Sequence, residues 1–401
     1  MATDWIALEK KYYMQTVRRQ PIVLVRGEGT RVWDDKGKEY LDFTSGWAVD
    51  TLGHSHPVVA DAVSKQAHTL MQTSNQFYTT PQIELVQALV ENSVLDRVFI
   101  GNSGAEANEG AVKLARKWGR ANRDGAFEVI TANNSFHGRT MNMIAATAQP
   151  THHKSFAPIP EGFQYVPFND VEAIMAATTD RTAAIMLEPV QGEGGVNIPD
   201  ADYFKQVRKW CDEQGLLLML DEVQTGIGRL GTLFGYEAFG IEPDVVTLAK
   251  GLGGGMPIGA FMAKEHACAL VPGEHGSTFG GNPVTCAAAN ATVRYVIEHN
   301  IAGAAKKQGA IIMTGLKELK KKHSFITDVR GMGLLIAVQF DREMSAAVLK
   351  ECNELGLLLN AVRPNAVRLM PPLTVSPDEI SQALKRLDAG MTAAAKATPK
   401  V

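Results

Sequence analysis

Short runs of apolar residues alternate with longer amphipathic stretches through the middle of the chain, from about residue 52 to residue 288. Several runs are apolar at every position, which is typical of strands that helices cover on both faces. Alternation of such strands with helices predicts an α/β architecture with a mostly parallel sheet. The predicted strands are Arg97–Ile100, Glu128–Thr131, Ala183–Glu188, Leu216–Asp221, Val245–Leu248 and Ile258–Ala263.

The pattern changes towards the end of the chain, where helices surround short strands. The predicted elements there are helices at Pro283–Glu298, Ile301–Lys322, Ser345–Leu355 and Pro377–Met391, a hairpin at Ile326–Phe340, and strands at Leu357–Asn360 and Val367–Leu369. Residues 22–43 predict a strand pair, and residues 392–401 a frayed end. We therefore predict a large domain (52–288) that holds the main sheet, a small α+β domain (289–401), and an N-terminal segment (1–51) that joins the small domain.

Composition narrows the class of protein. The chain has 401 residues, of which 45% are hydrophobic and 21% charged, values that are ordinary for a soluble globular protein of two or three domains. A net charge of −3 gives no basic field for nucleic acid, and no apolar window is long enough for a membrane span. The four cysteines lie far apart, which argues against a zinc site or a disulfide framework. With no signal-peptide pattern at the N-terminus, we expect a cytoplasmic protein.

Two strand ends carry the most informative side chains. One apolar run ends in Asp221 and Glu222, and another ends in Lys250, which glycines follow. Because ligands gather beyond the carboxyl ends of strands in α/β sheets, these opposite charges should meet at one rim. The arrangement suits a cofactor with a basic ring nitrogen, which the acid pairs with, and an aldehyde, which the lysine amine condenses with. Pyridoxal phosphate (PLP) is such a cofactor.

A second candidate site lies where a strand leads into a helix, within Val98–Arg123. Ser103 occupies the helix N-cap position and forms a predicted capping box with Glu106. The free N–H groups at such a helix start could bind a phosphate through Ser103, Gly104 and Ala105. Two alternatives stay open from this segment alone. One is a plain strand-to-helix turn, and the other is the nucleophile elbow of a serine hydrolase with Ser103 as nucleophile.

Further side chains could bind an anion or an aromatic ring. Phe136 could lie on a cofactor ring, and Arg139 could grip a carboxylate bidentately. Glu188 ends a predicted strand, and Glu193 lies in a loop rich in glycine. Arg368 stands in an apolar setting, where a guanidinium requires an anionic partner.

Two glycine-containing loops differ in what they predict. Residues 226–231 match GxGxxG after a strand, but a dinucleotide site needs a helix to open at the third glycine, and Gly235 would break it. This segment is therefore weak evidence for a dinucleotide. The loop 275–283 is rich in small and hydroxyl residues, and it suits contact with a phosphate.

Together these segments resemble the class III (subgroup II) aminotransferases, a family of fold type I PLP enzymes. The motifs of that family occur in order between about Pro21 and Ile380: NSGAEANE, FHGRT, EPVQGEGG, DEVQTG, the lysine of LAKGLGGGMPIGA, GSTFGGNP and RLMPPL. Seven motifs in order make the resemblance specific, although each alone is modest evidence. The resemblance implies the fold type I architecture, with a large domain around a mostly parallel sheet and a smaller α+β domain.

The resemblance also implies a role for each candidate residue at the cofactor. Lys250 would hold PLP covalently and move the proton, and Asp221 would pair with the ring nitrogen. The other implied cofactor contacts are Ser103, Gly104 and Ala105 at the phosphate, Phe136 and Val223 on the ring faces, Gln224 at the phenolic oxygen, Glu188 nearby, and Thr278 at the phosphate across the interface of a homodimer. No metal is implied.

For substrates, the resemblance implies two carboxylate clamps. Arg139 would hold the α-carboxylate of the amino donor, Arg368 would hold that of glutamate or 2-oxoglutarate, and Glu193 would shield Arg368 while the donor reacts through its distal amine. The implied reaction moves the distal amino group of N-acetylornithine, or a similar ω-amino acid, to 2-oxoglutarate by a ping-pong mechanism. Ornithine, 4-aminobutyrate and N-succinylornithine are alternative donors. Val17 and Trp47 depart from the family pattern near the expected substrate entrance.

Overall fold

The computed structural model describes residues 3–398 and contains three sheets. The strands are β1 Leu24–Glu28, β2 Arg31–Asp34, β3 Glu39–Asp42, β4 Arg97–Gly101, β5 Glu128–Ala132, β6 Phe163–Val166, β7 Thr182–Leu187, β8 Leu217–Asp221, β9 Val245–Leu248, β10 Gly259–Ala263, β11 Ile326–Met332, β12 Leu335–Phe340, β13 Leu357–Leu358, β14 Asn360–Arg363 and β15 Ala366–Leu369.

Helices surround these sheets. They span Trp5–Tyr12, Pro57–Thr69, Thr80–Glu91, Gly104–Asn122, Met141–Ala146, Pro150–Phe156, Val171–Ala177, Tyr203–Gln214, Pro283–Glu298, Ile301–Lys322, Ser345–Glu354 and Pro377–Ala397. Within residues 3–398, no helix combines the length and the apolar character needed to cross a bilayer.

The main sheet has seven strands in the order β4-β10-β9-β8-β7-β5-β6. Strand β10 runs antiparallel to both neighbours, and the remaining pairs are parallel. Every residue of β5, β7, β8, β9 and β10 is buried, as expected for strands that helices cover on both faces. The helix Gly104–Asn122 packs against β7, β9 and β10. This arrangement confirms the predicted α/β architecture.

Two smaller sheets use the two ends of the chain. Strands β11, β12, β15 and β14 form one antiparallel sheet, called here the small sheet. Strands β1, β2 and β3 form the other, and β13 joins it parallel to β3. Residues from the beginning and the end of the chain therefore share a sheet. The division of the chain at residues 51 and 288 stays a prediction.

Most predicted elements are confirmed to within two residues, and four differ. Strand β6 is an addition, and residues 22–43 form three strands instead of a pair. The single strand predicted at Leu357–Asn360 divides into β13 and β14, which belong to different sheets. The last helix continues to Ala397, so residues 392–397 are helical and not frayed. The end of that predicted tail, residues 399–401, lies outside the described residues.

A left-handed turn follows β3. Ser45, Gly46, Trp47 and Ala48 all have positive φ angles, between 46° and 66°. A run of this kind is unusual because the left-handed region costs non-glycine residues roughly 1–2 kcal/mol each. The carboxylate of Asp42 stabilises its start by accepting hydrogen bonds from the backbone N–H groups of residues 44 and 45. The turn presents Trp47 to solvent.

Candidate active site

A cavity of about 420 Å³ lies at the carboxyl ends of β7, β8 and β9. Parallel strands place their following loops at one edge of the sheet, so residues distant in sequence meet there. The cavity is lined by most of the residues predicted from the sequence: Ser103, Gly104, Ala105, Phe136, Arg139, Glu188, Glu193, Asp221, Val223, Gln224 and Lys250.

Asp221, at the end of β8, is the buried acid of this cavity. Its Oδ2 accepts hydrogen bonds from Asn108 Nδ2 and His137 Nδ1, both at 2.8 Å, and its Oδ1 accepts one from the N–H of Val223 at 3.0 Å. Only 3% of Asp221 is exposed. These three hydrogen bonds fix the orientation of the carboxylate.

Each of the two side chains that hydrogen-bond to Asp221 also has one buried polar atom without a hydrogen-bond partner among residues 3–398. Asn108 also donates to the carbonyl of His137 at 2.7 Å, but its Oδ1 has no partner among the described residues. The Nε2 of His137 is likewise buried without a partner. Asn108 was not among the predicted site residues, and its only signal in the sequence is its position inside the helix motif that begins at Ser103. His137 likewise had no predicted role at the cofactor.

Lys250 follows β9 and faces Asp221 across the cavity. It has a positive φ of 41°, and within residues 3–398 its amine makes no hydrogen bond or ion pair. Burial lowers the pKa of Lys250 below the usual lysine value, although the nearby carboxylates of Glu193 and Asp221 oppose the shift. A lowered pKa increases the neutral fraction of the amine, which is the nucleophilic and proton-accepting form.

The helix Gly104–Asn122 begins at the cavity. Ser103 is its N-cap and accepts a hydrogen bond from the N–H of Glu106 at 3.2 Å. The predicted capping box is incomplete, because the Glu106 carboxylate binds the N–H of Asn102 at 2.7 Å instead of that of Ser103. The first N–H groups of a helix have no acceptor within it, so they are available to an anion. No histidine within residues 3–398 hydrogen-bonds to Ser103, as a serine nucleophile would require.

Packing around this helix start is tight. A Cβ on Gly104 would lie 2.7 Å from Val223, and a Cβ on Gly259 would lie 2.0 Å from the carbonyl oxygen of Ser103. Only glycine therefore allows β10 and the DEVQTG segment to approach the helix N-terminus so closely.

Three predicted residues line one wall. Phe136 is half-buried, and its N–H donates to Glu188 at 3.2 Å. Burial, together with the charge of Asp221, raises the pKa of Glu188 well above the usual carboxyl value. Arg139 is exposed and lies over the Phe136 ring, with the guanidinium carbon 5.6 Å from the ring centroid.

Arg368, on β15, is not itself in the cavity lining but contacts two residues that are, Glu193 and Gln224. It is fully buried and donates to Glu193 Oε1 at 2.7 Å, to Asn360 Oδ1 at 2.8 Å and to Gln224 Oε1 at 3.1 Å. Burial alone would raise the pKa of Glu193, but the charge and hydrogen bond of Arg368 lower it. This ion pair gives Arg368 the anionic partner that its apolar setting required. Asn360 was not predicted, because its approach depends on the pairing of β14 with β15.

Besides Arg368, three residues singled out from the sequence lie outside the cavity lining. Thr278 is exposed, and its carbonyl accepts a hydrogen bond from Gln72. Val17 and Trp47 are also exposed, although Val49, two residues after Trp47, lines the cavity. A single chain therefore does not bring Thr278 to this site.

The donor set fits PLP. A buried carboxylate is present for a protonated ring nitrogen, an unpartnered amine for an aldehyde, and a helix N-terminus for a phosphate. Two buried polar atoms of residues that line the cavity, Asn108 Oδ1 and His137 Nε2, also lack partners among residues 3–398.

The sequence model described as "Aminotransferase class-III" matches residues 12–391. The chain is 51% identical to the acetylornithine aminotransferase of Caldanaerobacter subterraneus subsp. tengcongensis, over 96% of this chain and 98% of that protein. It is 49% identical to the acetylornithine aminotransferase of Methanocaldococcus jannaschii, over 96% of this chain and 97% of that protein.

Solved structures with the same fold include enzymes with two different named donors. The ornithine aminotransferase of Toxoplasma gondii ME49 has a TM-score of 0.95 at 35% identity, covering 99% of this chain and 97% of that one. The acetylornithine aminotransferase of Elizabethkingia anophelis has a TM-score of 0.87 at 34% identity, covering 96% and 98%.

Proposed function

Because the chain belongs to the class-III aminotransferase family, and is thus a PLP-dependent transaminase, we propose that it transfers the distal amino group of N-acetylornithine, or of a similar ω-amino acid, to 2-oxoglutarate. The products are a semialdehyde and glutamate. The observation that carries this proposal is the ion pair between Glu193 and Arg368 in the cavity that Lys250 and Asp221 line. Relatives named acetylornithine aminotransferase at 51% and 49% identity support the choice of donor.

PLP, when bound, supplies an aldehyde that takes up the amino group and a conjugated ring that stabilises negative charge at the substrate carbon. Lys250 holds the cofactor through its Nζ, and the same atom moves the proton to and from the substrate carbon. The lowered pKa of Lys250 supports this role, because only the neutral amine accepts a proton.

Asp221 would pair with the ring nitrogen and keep it protonated, since a neighbouring carboxylate favours the cationic form. The hydrogen bonds from Asn108 and His137 support this role, because they hold the carboxylate in place. The amides at Ser103, Gly104 and Ala105 bind the phosphate. Other groups at the cofactor are Phe136 and Val223 on the ring faces, Gln224 at the phenolic oxygen, and Glu188.

Two arginines divide the substrates between them. Arg139 binds the α-carboxylate of the donor, so the donor's distal amine reaches the reaction centre. Arg368 binds the α-carboxylate of 2-oxoglutarate or glutamate. Glu193 covers Arg368 during the first half-reaction and must leave it in the second. The 2.7 Å ion pair corresponds to the covered arrangement.

The complete site belongs to a homodimer in which Thr278 binds the phosphate of the partner's cofactor. Exposed aromatic side chains support such an interface: Phe77, Tyr78 and Phe279 are 67%, 95% and 64% exposed in the single chain. Large apolar exposure on one surface is typical of a protein–protein contact. Four free cysteines support a reducing compartment, the cytoplasm.

Ornithine is the second candidate donor, because an ornithine aminotransferase matches the fold with a TM-score of 0.95. A donor panel separates the candidates. Glutamate formation from 2-oxoglutarate is measured with N-acetylornithine, ornithine, N-succinylornithine and 4-aminobutyrate at equal concentrations. We expect the highest kcat/KM for N-acetylornithine. A higher value for ornithine would move the assignment to the second candidate.

The two-clamp arrangement has its own test. We expect Arg139→Ala to raise KM for the donor far more than for 2-oxoglutarate, and Arg368→Ala to do the reverse. Loss of one charged, hydrogen-bonded contact costs roughly 2–5 kcal/mol of binding free energy. Equal effects on both substrates in both variants would contradict the division of roles.

A further inference from the structure

Three arginines of the small sheet contact one loop that follows β7 of the main sheet. This loop, residues 192–196, is called here the glycine loop. Arg368 binds the side chain of Glu193, as described above. Arg363 binds the carbonyl of Gly194, with Nε at 3.1 Å and Nη2 at 2.7 Å. Arg330 binds the next two carbonyls, those of Gly195 at 2.5 Å and Val196 at 3.0 Å. Three successive carbonyls of the loop are therefore held by guanidinium groups.

The backbone of the glycine loop is strained. Val196 is fully buried and has a φ of 57°, and Gly195 has a φ of 120°. A β-branched residue in the left-handed region is an outlier whose conformation persists only where surrounding contacts enforce it. The carbonyl of Val196 is one of the acceptors of Arg330. The contacts that enforce the strained conformation thus include the small-sheet arginines.

The loop is also packed closely on the residues that bind Arg368. A Cβ on Gly192 would lie 1.6 Å from Oε1 of Gln224, which is the atom that accepts a hydrogen bond from Arg368. A small displacement of the loop backbone therefore changes the distance between the Glu193 carboxylate and Arg368. Arg330 is itself fixed, because its Nη1 donates to Asp328 and Gln339 at 2.8 Å.

We propose that Arg330 and Arg363 are positioning residues that hold the glycine loop so that Glu193 covers Arg368 by rotation of its side chain alone. The inference rests on the proposed function, in which Glu193 must cover Arg368 for one substrate and release it for the other. With the backbone held, covering and release require only side-chain torsions. Without one of the two arginines, the loop relaxes and Glu193 withdraws from Arg368.

Variants that lack Arg330 or Arg363 should therefore bind a dicarboxylate more tightly. A substitution that merely destabilised the protein would not increase this affinity. Glutarate, an unreactive dicarboxylate, competes with Glu193 for Arg368. In the holoenzyme we expect Arg330→Gln and Arg363→Gln each to bind glutarate about five- to tenfold more tightly, the change that follows from weakening one charge-assisted hydrogen bond. The same variants should lose a similar factor in kcat/KM for the distal-amine donor, because Arg368 is left open during the first half-reaction.

The experiment measures the Kd of glutarate by titration calorimetry, and the rate of the first half-reaction by stopped-flow absorbance. Arg342→Gln is the matched control, since Arg342 follows β12 and binds Asp341 and the carbonyl of Thr398 instead of the glycine loop. The control should bind glutarate as the wild type does. Arg330→Lys, which keeps the charge but loses the branched donor group, should fall between wild type and Arg330→Gln.

The outcomes separate this inference from the proposed function. Unchanged or weaker glutarate binding in Arg363→Gln and in the folded Arg330 variants overturns the positioning role. Arg368→Gln tests the function beneath it, because this variant should lose most of its glutarate affinity. If Arg368→Gln binds glutarate with wild-type affinity, Arg368 is not the carboxylate-binding residue. The proposed role of Glu193 in covering it then fails as well. Loss in Arg368→Gln with wild-type behaviour in the other variants leaves the function standing and rejects the inference.

Discussion

Lys250 combines two features that are unfavourable for an ordinary structural lysine. Its backbone has a positive φ, which costs a non-glycine residue of order 1–3 kcal/mol. Its amine is enclosed in the cavity and has no hydrogen-bond partner within residues 3–398. Folding alone gives no reason to keep both, whereas the proposed covalent role at the cofactor supplies a reason for the unpartnered amine.

Replacement of Lys250 by alanine should abolish transamination while leaving the cofactor site able to bind. We expect Lys250→Ala to lower kcat by at least about 10³, because it removes both the covalent attachment and the proton-transferring group. Borohydride should attach PLP irreversibly to the wild type but not to the variant. Lys209→Ala, at an exposed helical position, is the control. Normal turnover in Lys250→Ala would refute the assignment of this residue.

For the adjacent acids Asp221 and Glu222, the sequence predicts the direction of each side chain but not its hydrogen-bond partners. Asp221 ends a predicted strand and Glu222 follows it, and alternation along a strand places them on opposite sides. Asp221 faces the cavity, whereas Glu222 accepts hydrogen bonds from the N–H groups of Gly235 and Tyr236, and burial raises its pKa to about 8. The partners of Asp221, which come from two other segments, could not be predicted, because their approach depends on the assembled sheet.

At the scale of elements, the sequence predicted best where a strand is buried on both faces. Strand β9 has the predicted limits because all of its residues are apolar and buried. Strand β6 was missed because its two central residues are exposed and it lies at the edge of the main sheet. The left-handed turn at residues 45–48 was beyond prediction, because it depends on side chains that meet only after folding.

His54 anchors that turn through its charge. Its Nε2 lies 2.8 Å from Asp42, and its Nδ1 lies 3.7 Å from Asp50. Burial alone would lower the pKa of His54, but the hydrogen bond with Asp42 and the charges of both acids raise it above the usual histidine value. Protonated His54 therefore stabilises the native state below the unfolded pKa of about 6.5, and this contribution disappears as pH rises through the raised folded pKa.

We expect His54→Gln to lower the free energy of unfolding by about 1–2 kcal/mol at pH 6, the scale of one charged hydrogen bond. The deficit should shrink towards pH 9, as the pH rises through the raised folded pKa of His54. Unfolding midpoints of the two proteins at both pH values provide the measurement. A deficit that does not change with pH would show that the shape of His54, and not its charge, supports the turn.

At the scale of the whole molecule, the cavity of one chain lacks Thr278, which was predicted to contact the cofactor phosphate. Thr278 is exposed beside Phe279, and both lie in a loop that Asn75 and Gln72 hold through hydrogen bonds to its carbonyls. Ser277 of the same loop accepts a hydrogen bond from Asn102, which lines the cavity, but Thr278 is not part of the lining. A homodimer that buries this surface would place the loop at the partner's site, as symmetric interfaces allow.

Mixed dimers of two variants test whether Thr278 binds the cofactor phosphate in the partner's site or in the site of its own chain. Lys250→Ala inactivates its own site, and Thr278→Glu repels a phosphate at whichever site Thr278 serves. If Thr278 acts across the interface, a dimer of the two variants has one intact site, carrying Lys250 from one chain and Thr278 from the other. Random mixing in equal amounts should then restore about a quarter of wild-type activity. If Thr278 acts within its own chain, every site in the mixture carries a defect and no activity returns.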